Sequence, residues 1–278
     1  MKMLKKHPVV FSVIIILIGI IIVLGVINYN NYIYAKRIIN AIEKEDIPTL
    51  QKLMKYPFGN LNSKPCWWIV EVLSESNTAT PLQAACKLGN VEIVKILLDN
   101  GADPNYIHWD ESRSLGSPLM CAAGSLSDNR LTVIKFLIEY GANVNYENTA
   151  GNDVLTCAVY AGNGKKDTIE IIEYLEKNGL NIYKKYSQTK NSLLHKACET
   201  DNFLVIQYLI EQRHFDINEA NADGDTALIY FMRFASKRQK NTALYLIEKG
   251  ANLNAQNKDG KTAYDYAVER HPELVELL

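Results

Sequence analysis

The chain contains five cysteines and five histidines, the side chains best suited to metal binding or nucleophilic catalysis. Their spacing does not support that chemistry. No two cysteines form a C-x-x-C pair, and no histidine stands in an H-E-x-x-H motif or in a spacing typical of a catalytic triad. Cys66 stands apart from the others and has no evident partner. The sequence therefore predicts no catalytic residue, no metal ion and no cofactor.

One short run resembles a phosphate-binding loop in composition, Gly162-Asn163-Gly164-Lys165-Lys166. Phosphate loops follow a buried strand and open a helix, so that backbone N–H groups surround the phosphate. No strand pattern precedes residue 162. We interpret the run as a long turn between two helices, and no enzymatic activity is predicted.

The aromatic residues are placed for binding rather than for catalysis. All three tryptophans lie in two stretches, 62–80 and 105–117, and the second stretch also carries Tyr106 and Arg113. These residue types are enriched among those that dominate protein interfaces. The stretches supply the candidate binding residues Trp67, Trp68, Tyr106, His108, Trp109 and Arg113. For Trp67 and Trp68 an alternative stays open, in which an extra helix over residues 67–73 covers the N-terminal edge of the domain or contacts the membrane surface.

The elements that position these residues begin with an apolar run at 9–27 (VVFSVIIILIGIIIVLGVI), which is free of charge. At 1.5 Å per residue a helix of this length just crosses a hydrocarbon core of about 30 Å. The run is longer than the apolar part of a secretory signal peptide, and asparagine and tyrosine follow it instead of a small-residue cleavage site. We therefore predict one retained transmembrane helix between a basic tail at 1–8 and a short linker at 28–33.

Charge indicates the orientation of this anchor and the class of partner. Lys2, Lys5 and Lys6 precede the apolar run, and such residues favour the cytosolic side. We expect a single-pass protein of the inner membrane with a cytosolic N-terminus and a periplasmic or otherwise extracytoplasmic domain. Beyond residue 27 the chain has 27 Lys and Arg against 31 Asp and Glu, a net charge of −4. This balance argues against nucleic acid as a partner.

A pattern recurs six times beyond the anchor, as in Thr80-Pro81-Leu82-Gln83-Ala84-Ala85-Cys86. Its leucine position falls at residues 82, 119, 155, 194, 228 and 264, which are 34 to 39 residues apart. A second block follows each time, with apolar residues at helical spacing and a tail such as Gly141-Ala142-Asn143-Val144-Asn145. The capping residue, the proline at the first helical position and the glycine at the end predict two helices per unit.

These blocks resemble the ankyrin repeat, which has a T-P-L-H-x-A core and a G-A-D-V-N tail. The resemblance implies an all-α solenoid of about seven helix-turn-helix units over residues 34–278, preceded by the transmembrane helix. It also implies that His195 hydrogen-bonds to turn backbone. The repeat positions further imply that four cysteines are buried on successive helices, too far apart for disulfides: Cys86, Cys121, Cys157 and Cys198.

Departures from the pattern mark individual features of this chain. Phe58 and His214 replace the glycine that ends a second helix, which predicts altered turns there. Phe231 and Met232 replace a small pair and should push the two helices of the sixth unit apart. The connections at 62–80 and 105–117, which we call the long fingers, exceed the usual length. Two further candidate residues continue their line on the following fingers, Tyr146 and Lys184. A basic turn is expected to be a solvated surface: Arg233, Lys237, Arg238 and Lys240.

The resemblance implies a binding surface and no particular reaction. We expect a monomeric protein-binding module held at the outer face of the inner membrane. A specific hypothesis is an immunity protein that sequesters a secreted toxin acting in the periplasm. The alternative is a periplasmic scaffold that supports an endogenous enzyme or a stress response, and deletion of such a scaffold would sensitise cells in the absence of any toxin.

Overall fold

The computed structural model describes residues 33–34, 36–55, 80–107, 116–162, 164–186, 189–234 and 240–278. The regular structure in these ranges is helical, apart from one isolated bridge between Glu147 and Asp153. The α-helices are α1 (36–43), α2 (Ile47–Met54), α3 (Pro81–Leu88), α4 (Val91–Asp99), α5 (Pro118–Ala123), α6 (Arg130–Glu139), α7 (Val154–Ala161), α8 (Asp167–Lys177), α9 (Leu193–Glu199), α10 (Phe203–Glu211), α11 (Ala227–Phe234), α12 (Lys240–Glu248) and α13 (Ala263–Arg270). A 3-10 helix at Pro272–Leu277 follows them.

Among the described residues, no helix is both long enough and apolar enough to cross a membrane. The predicted anchor at 9–27 lies outside those residues, as do the basic tail at 1–8 and most of the linker. Most of both long fingers lies outside them as well, and so does Phe58.

The helices pair into seven units, from α1 with α2 to α13 with the 3-10 helix. The first helices α3, α5, α7, α9, α11 and α13 pack side by side in one layer. The second helices α4, α6, α8 and α10 form the other layer. Each unit contacts mainly its neighbours in sequence, which is the arrangement of a solenoid. The predicted all-α solenoid is confirmed.

The first helices begin where the capping residues of the sequence predict. Thr80 Oγ1 accepts a hydrogen bond from the Gln83 N–H at 3.2 Å, and the Gln83 side chain accepts one from the Thr80 N–H at 2.8 Å. Asp153 and Thr156 form the same reciprocal pair at the start of α7. Replacing such a cap by alanine costs about 1 kcal/mol. The recurring pattern therefore fixes where each first helix starts.

Small residues let the first helices approach one another closely. The position three residues after the leucine position holds a fully buried alanine in five units: Ala85, Ala122, Ala158, Ala197 and Ala267. The first helices contact one another more extensively than the second helices do. The stack therefore curves toward the first-helix layer, which lines its concave side. In the sixth unit Phe231 and Met232 are fully buried. The separation of its two helices stays a prediction.

His214 ends the second helix of the fifth unit in the left-handed conformation, with φ at +54°, where glycine stands in other units. The closing hydrogen bond there runs from the Phe215 N–H to the Leu209 carbonyl, six residues back. In the sixth unit the equivalent bond runs from Ala251 to Leu246, five residues back. The turn at His214 is therefore one residue longer, so it does differ from the repeat.

Arg130 is a fully buried cation that joins the third and fourth units. Its Nε and Nη2 atoms donate to the two oxygens of Asp167 at 2.6 and 2.7 Å, and Nη2 also donates to Thr168 Oγ1 at 2.5 Å. The guanidinium passes over Gly162, where an added Cβ would lie 2.8 Å from Nη2. Gly162 and residues 164–166 thus lie between α7 and α8, and the absence of a side chain at Gly162 makes room for this arginine.

Replacing Asp167 by alanine leaves the buried Arg130 charge without its carboxylate. We expect the free energy of unfolding to fall by about 3 kcal/mol. Urea unfolding of residues 28–278, followed by circular dichroism, measures the change. The control is Asp128→Ala, which removes a fully exposed partner of Lys165 and should stay within about 0.5 kcal/mol of the wild type. Equal losses in the two variants would contradict a structural role for the Arg130 pair.

Candidate protein-binding site

Two positions on each first helix face the concave side, two and five residues after the leucine. They are three residues apart and so lie on the same side of the helix. Most of them are half-buried or exposed, whereas their neighbours on the helix are buried. We call this set the inner face: Ala84, Lys87, Cys121, Gly124, Cys157, Tyr160, Lys196, Glu199, Tyr230, Arg233, Tyr266 and Glu269.

The first half of the inner face carries small side chains, including two cysteines. Cys86 and Cys198 are buried as expected, but Cys121 and Cys157 are only half-buried, which corrects the expectation for those two. They differ because their position in the repeat faces the concave side and not the neighbouring helix. All four are free thiols, and burial raises the pKa of Cys121 and of Cys157 to about 12. These thiols stay protonated at neutral pH and are poor nucleophiles.

The middle of the inner face is organised around the Glu199 carboxylate. It accepts hydrogen bonds from the hydroxyls of Tyr160 at 2.9 Å and Tyr230 at 3.3 Å, and from Lys196 at 3.4 Å. Lys196 Nζ also donates to the Tyr160 hydroxyl at 3.1 Å. Burial and the nearby Glu199 charge raise the pKa of both tyrosines, so their hydroxyls remain donors. We call these four residues the Glu199 cluster. Tyr160 is 37% exposed and is held in place by it.

A second group lies beside this cluster on α11 and is centred on Arg233. Its guanidinium pairs with Asp225 at 2.8 Å and lies 4.8 Å from the centre of the Phe234 ring. The Phe234 ring is tilted against Tyr230 at 4.6 Å and is 43% exposed. The sequence predicted a solvated basic turn here. Lys240 is exposed as expected, but Arg233 is held in an ion pair, because a buried carboxylate from the preceding finger meets it. Lys237 and Arg238 lie outside the described residues.

Three of the eight candidate residues from the sequence lie within the described residues. Tyr106 and Tyr146 are half-buried, and Tyr146 packs against the core. Lys184 pairs with Asp153 at 2.8 Å and with Glu147 at 3.2 Å. Its charge is therefore already neutralised within the chain. The others are not described: Trp67, Trp68, His108, Trp109 and Arg113. A binding role for these eight residues stays a prediction.

His195 has the role that the resemblance implies. The ring is buried, with Nδ1 2.8 Å from Ser192 Oγ and Nε2 3.0 Å from the Asp225 carbonyl oxygen of the next finger. Since that oxygen can only accept, Nε2 carries the proton and Nδ1 accepts from Ser192. Burial lowers the pKa of His195, so the ring is neutral at pH 7. It links two units and is not available for catalysis.

The sequence did not single out Tyr160, Glu199, Tyr230 or Phe234 as site residues. The repeat pattern could have pointed to three of them. Tyr160, Glu199 and Tyr230 occupy inner-face positions, which can be counted from the leucine of each repeat. The hydrogen bonds of the Glu199 cluster join residues up to 39 positions apart, and no local pattern reports them.

A family model for ankyrin repeats matches the chain three times, at residues 38–148, 155–257 and 194–278. The chain belongs to the ankyrin-repeat family. Ankyrin repeats bind protein partners, and members of the family are generally binding modules rather than enzymes. The inner face is therefore a candidate surface for a protein.

Similar proteins include an ankyrin repeat protein of Acanthamoeba polyphaga mimivirus, 26% identical over 245 residues. That match covers 88% of this chain and 28% of the relative. Alpha-latrocrustotoxin-Lt1a of Latrodectus tredecimguttatus is 29% identical over 211 residues, which are 73% of this chain and 14% of the toxin. The chain thus spans less than a third of the length of these two relatives.

Two solved structures are also similar to this chain. The human ASB11 ankyrin repeat domain aligns with a TM-score of 0.65 and 24% identity over 86% of this chain and 96% of that domain, which shows the fold. A chain of the complex between the predatory endopeptidase Bd0816 of Bdellovibrio bacteriovorus and the immunity protein Bd3460 aligns with a TM-score of 0.54 and 29% identity. That alignment covers 70% of this chain and 94% of the other.

The lowered pKa of His195 predicts a dependence of stability on pH. The neutral ring is favoured in the folded state, so its contribution is fully present above the unfolded pKa of about 6.5 and is lost as pH falls. We expect the Tm to drop between pH 7 and pH 5, and to drop less in His195→Gln. His214→Gln changes an exposed histidine and serves as the control. The same pH dependence in wild type and His195→Gln would contradict this assignment.

Proposed function

We propose that this chain is a membrane-tethered ankyrin-repeat module that binds a protein partner through its inner face and fingers. The observation that carries the proposal is the pair of exposed aromatic side chains, Tyr160 and Phe234. Each ring has a cation near it, Lys196 in one case and Arg233 in the other. Exposed aromatic residues held rigidly by their neighbours are typical anchors of protein interfaces, since little side-chain entropy is lost when they bind.

The tether is the apolar run at 9–27, and the proposed topology follows from the lysines before it. The chain would cross the inner membrane once, with residues 28–278 in the periplasm. Alkaline phosphatase fused after Leu278 is expected to be active, and green fluorescent protein fused there is expected to be dark. Bright fluorescence together with an inactive phosphatase would contradict this topology while leaving the binding function intact.

We further propose that the partner is a secreted toxin that acts in the periplasm, and that the chain is an immunity protein that sequesters it. The likeness to a chain of the Bdellovibrio endopeptidase–immunity protein complex supports this version. The tether supports it as well, because it would hold the solenoid where such a toxin arrives. The alternative is a periplasmic scaffold for an endogenous enzyme or a stress response, which would use the same surface. The two functions differ in phenotype, because deletion of a scaffold would sensitise cells in the absence of any toxin.

A rescue experiment tests the proposal. The product of each gene neighbouring this one is directed to the periplasm of a host strain, with or without the chain. We expect one of these products to stop growth and the wild-type chain to restore it. The double variant Tyr160→Ala/Phe234→Ala should weaken binding by tenfold or more, because such anchors each contribute about 2 kcal/mol.

The matched control is Leu126→Ala, which changes an apolar residue that is 75% exposed in the turn between α5 and α6. This variant should rescue as the wild type does. Failure of the wild type to rescue growth would contradict the immunity function. Full affinity in the double variant would remove Tyr160 and Phe234 from the site.

A further inference from the structure

A series of hydrogen bonds connects the backbone of the finger before the sixth unit with the inner face. The N–H groups of Asp223 and Asp225 donate to Asn221 Oδ1 at 2.9 and 3.0 Å. Asn221 Nδ2 donates to Asn191 Oδ1 at 2.7 Å, and Asn191 Nδ2 donates to the Tyr230 hydroxyl at 3.0 Å. We call this series the amide relay. Asn191 is fully buried, so water does not compete for its bonds.

The direction of each bond in the amide relay follows from the two backbone N–H groups at its start. An N–H group can only donate, so Asn221 must turn its oxygen toward them and its nitrogen toward Asn191. Asn191 then turns its oxygen toward Asn221 and its nitrogen toward Tyr230. The Tyr230 hydroxyl accepts this bond and donates its own proton to the Glu199 carboxylate at 3.3 Å. The orientation of the Tyr230 hydroxyl is therefore set from inside the stack.

Tyr230 connects the amide relay to both exposed anchors. Its hydroxyl shares the Glu199 carboxylate with the hydroxyl of Tyr160, which donates to the same oxygen at 2.9 Å. Its ring is tilted against the Phe234 ring at 4.6 Å and meets the His195 ring in a T-shaped arrangement at 5.5 Å. Tyr230 is only 7% exposed, so it offers little surface to a partner. Its position is suited to holding the two anchors.

The same kind of turn exists in this chain without the relay. Asn148 occupies the place in the finger before the fourth unit that Asn221 occupies before the sixth. Its Oδ1 also accepts two backbone N–H groups of its own finger, at 3.1 and 2.9 Å. Gly116 stands in the third unit where Asn191 stands in the fifth, so no amide side chain is present there to continue the series. The turn therefore forms without the relay, and Asn191 serves something other than the turn.

We propose that Asn191 is a positioning residue of the protein-binding site, which fixes the anchors Tyr160 and Phe234 through Tyr230. This inference rests on the proposed binding function of the inner face. A side chain that is already fixed loses less entropy on binding, so Asn191 contributes to affinity without contacting the partner. Tyr160 and Phe234 belong to different units, yet both depend on the same tyrosine. They therefore act as one site and not as two independent contacts.

Fluorine NMR on the full chain in detergent tests the positioning without any partner. 4-Fluorophenylalanine is placed at position 234, where the Tyr230 ring shifts its resonance. We expect Asn191→Ala to move this resonance toward that of the free amino acid, because the Tyr230 hydroxyl loses the bond that orients it. Asn221→Ala should move it in the same direction. The matched control is Asn148→Ala, which removes an amide with the same burial and the same turn bonds as Asn221 and should leave the resonance in place.

Affinity for the toxin that the rescue experiment identifies provides the second measurement. Asn191→Ala should weaken binding by about tenfold, since both anchors lose their fixed positions. Tyr230→Phe removes only the hydroxyl and keeps the packed ring, so it tests the same relay in a chain with an unchanged core. In the Tyr160→Ala/Phe234→Ala background, Asn191→Ala should have no further effect, because it acts through those two rings. A residue that only supported the fold would weaken binding by the same factor in both backgrounds.

The outcomes separate this inference from the function on which it rests. A fluorine resonance that does not move in Asn191→Ala, or an equal loss of affinity in both backgrounds, would overturn the inference while protein binding stands. Full affinity in the Tyr160→Ala/Phe234→Ala variant would remove the two anchors from the site, and the role of Asn191 with them. If the wild-type chain binds none of the neighbouring gene products, the immunity function fails, and the fluorine resonance alone decides whether Asn191 fixes Phe234.

Discussion

The solenoid depends on the carbonyl groups at the end of each first helix, which the helix itself cannot satisfy. The helices are too short and too closely packed for water to reach all of these groups, so side chains of a neighbouring unit supply the donors. Ser125 Oγ donates to the Lys87 carbonyl at 2.8 Å, and Asn202 Nδ2 donates to the Val159 carbonyl at 3.0 Å. His271 Nε2 lies 2.8 Å from the Met232 carbonyl oxygen. The hydrogen bonds of these carbonyl groups are therefore completed by the neighbouring unit, and the stability of each unit depends on the unit beside it.

The seventh unit differs from the preceding units in the exposure of its first helix. Tyr264 and Val268 on α13 are 48% and 50% exposed, although the equivalent residues of earlier units are buried. No neighbouring unit packs on the inner-face positions, so stacking does not constrain the residue type there. They can vary while the repeat is kept, which explains why Cys121 and Cys157 can stand where later units have charged or aromatic side chains. Positions that stacking leaves unconstrained are the ones that are free to serve a binding function.

Much of the fold could be predicted from the sequence, because the repeat is local. The caps of Thr80 and Asp153, the helix pairs and the role of His195 each depend on residues a few positions apart or on a family position. The buried pair of Arg130 and Asp167 could not, since its members are 37 residues apart and each resembles an ordinary surface charge. The state of Lys184 escaped prediction for the same reason. Periodicity indicates which face a residue occupies, but charge pairing depends on which residue the next unit places opposite.

The separation of the two candidate surfaces limits what the partner can be. The tryptophan-bearing long fingers precede the second and third units, whereas Tyr160 and Phe234 belong to the fourth and sixth. Packed helices are roughly 8–10 Å apart, so the first helices of the second and third units lie about 10–40 Å along the stack from those of the fourth and sixth. A short peptide that bound only one region would leave the other unused. A folded domain of ordinary size, about 30 Å across, could contact both at once.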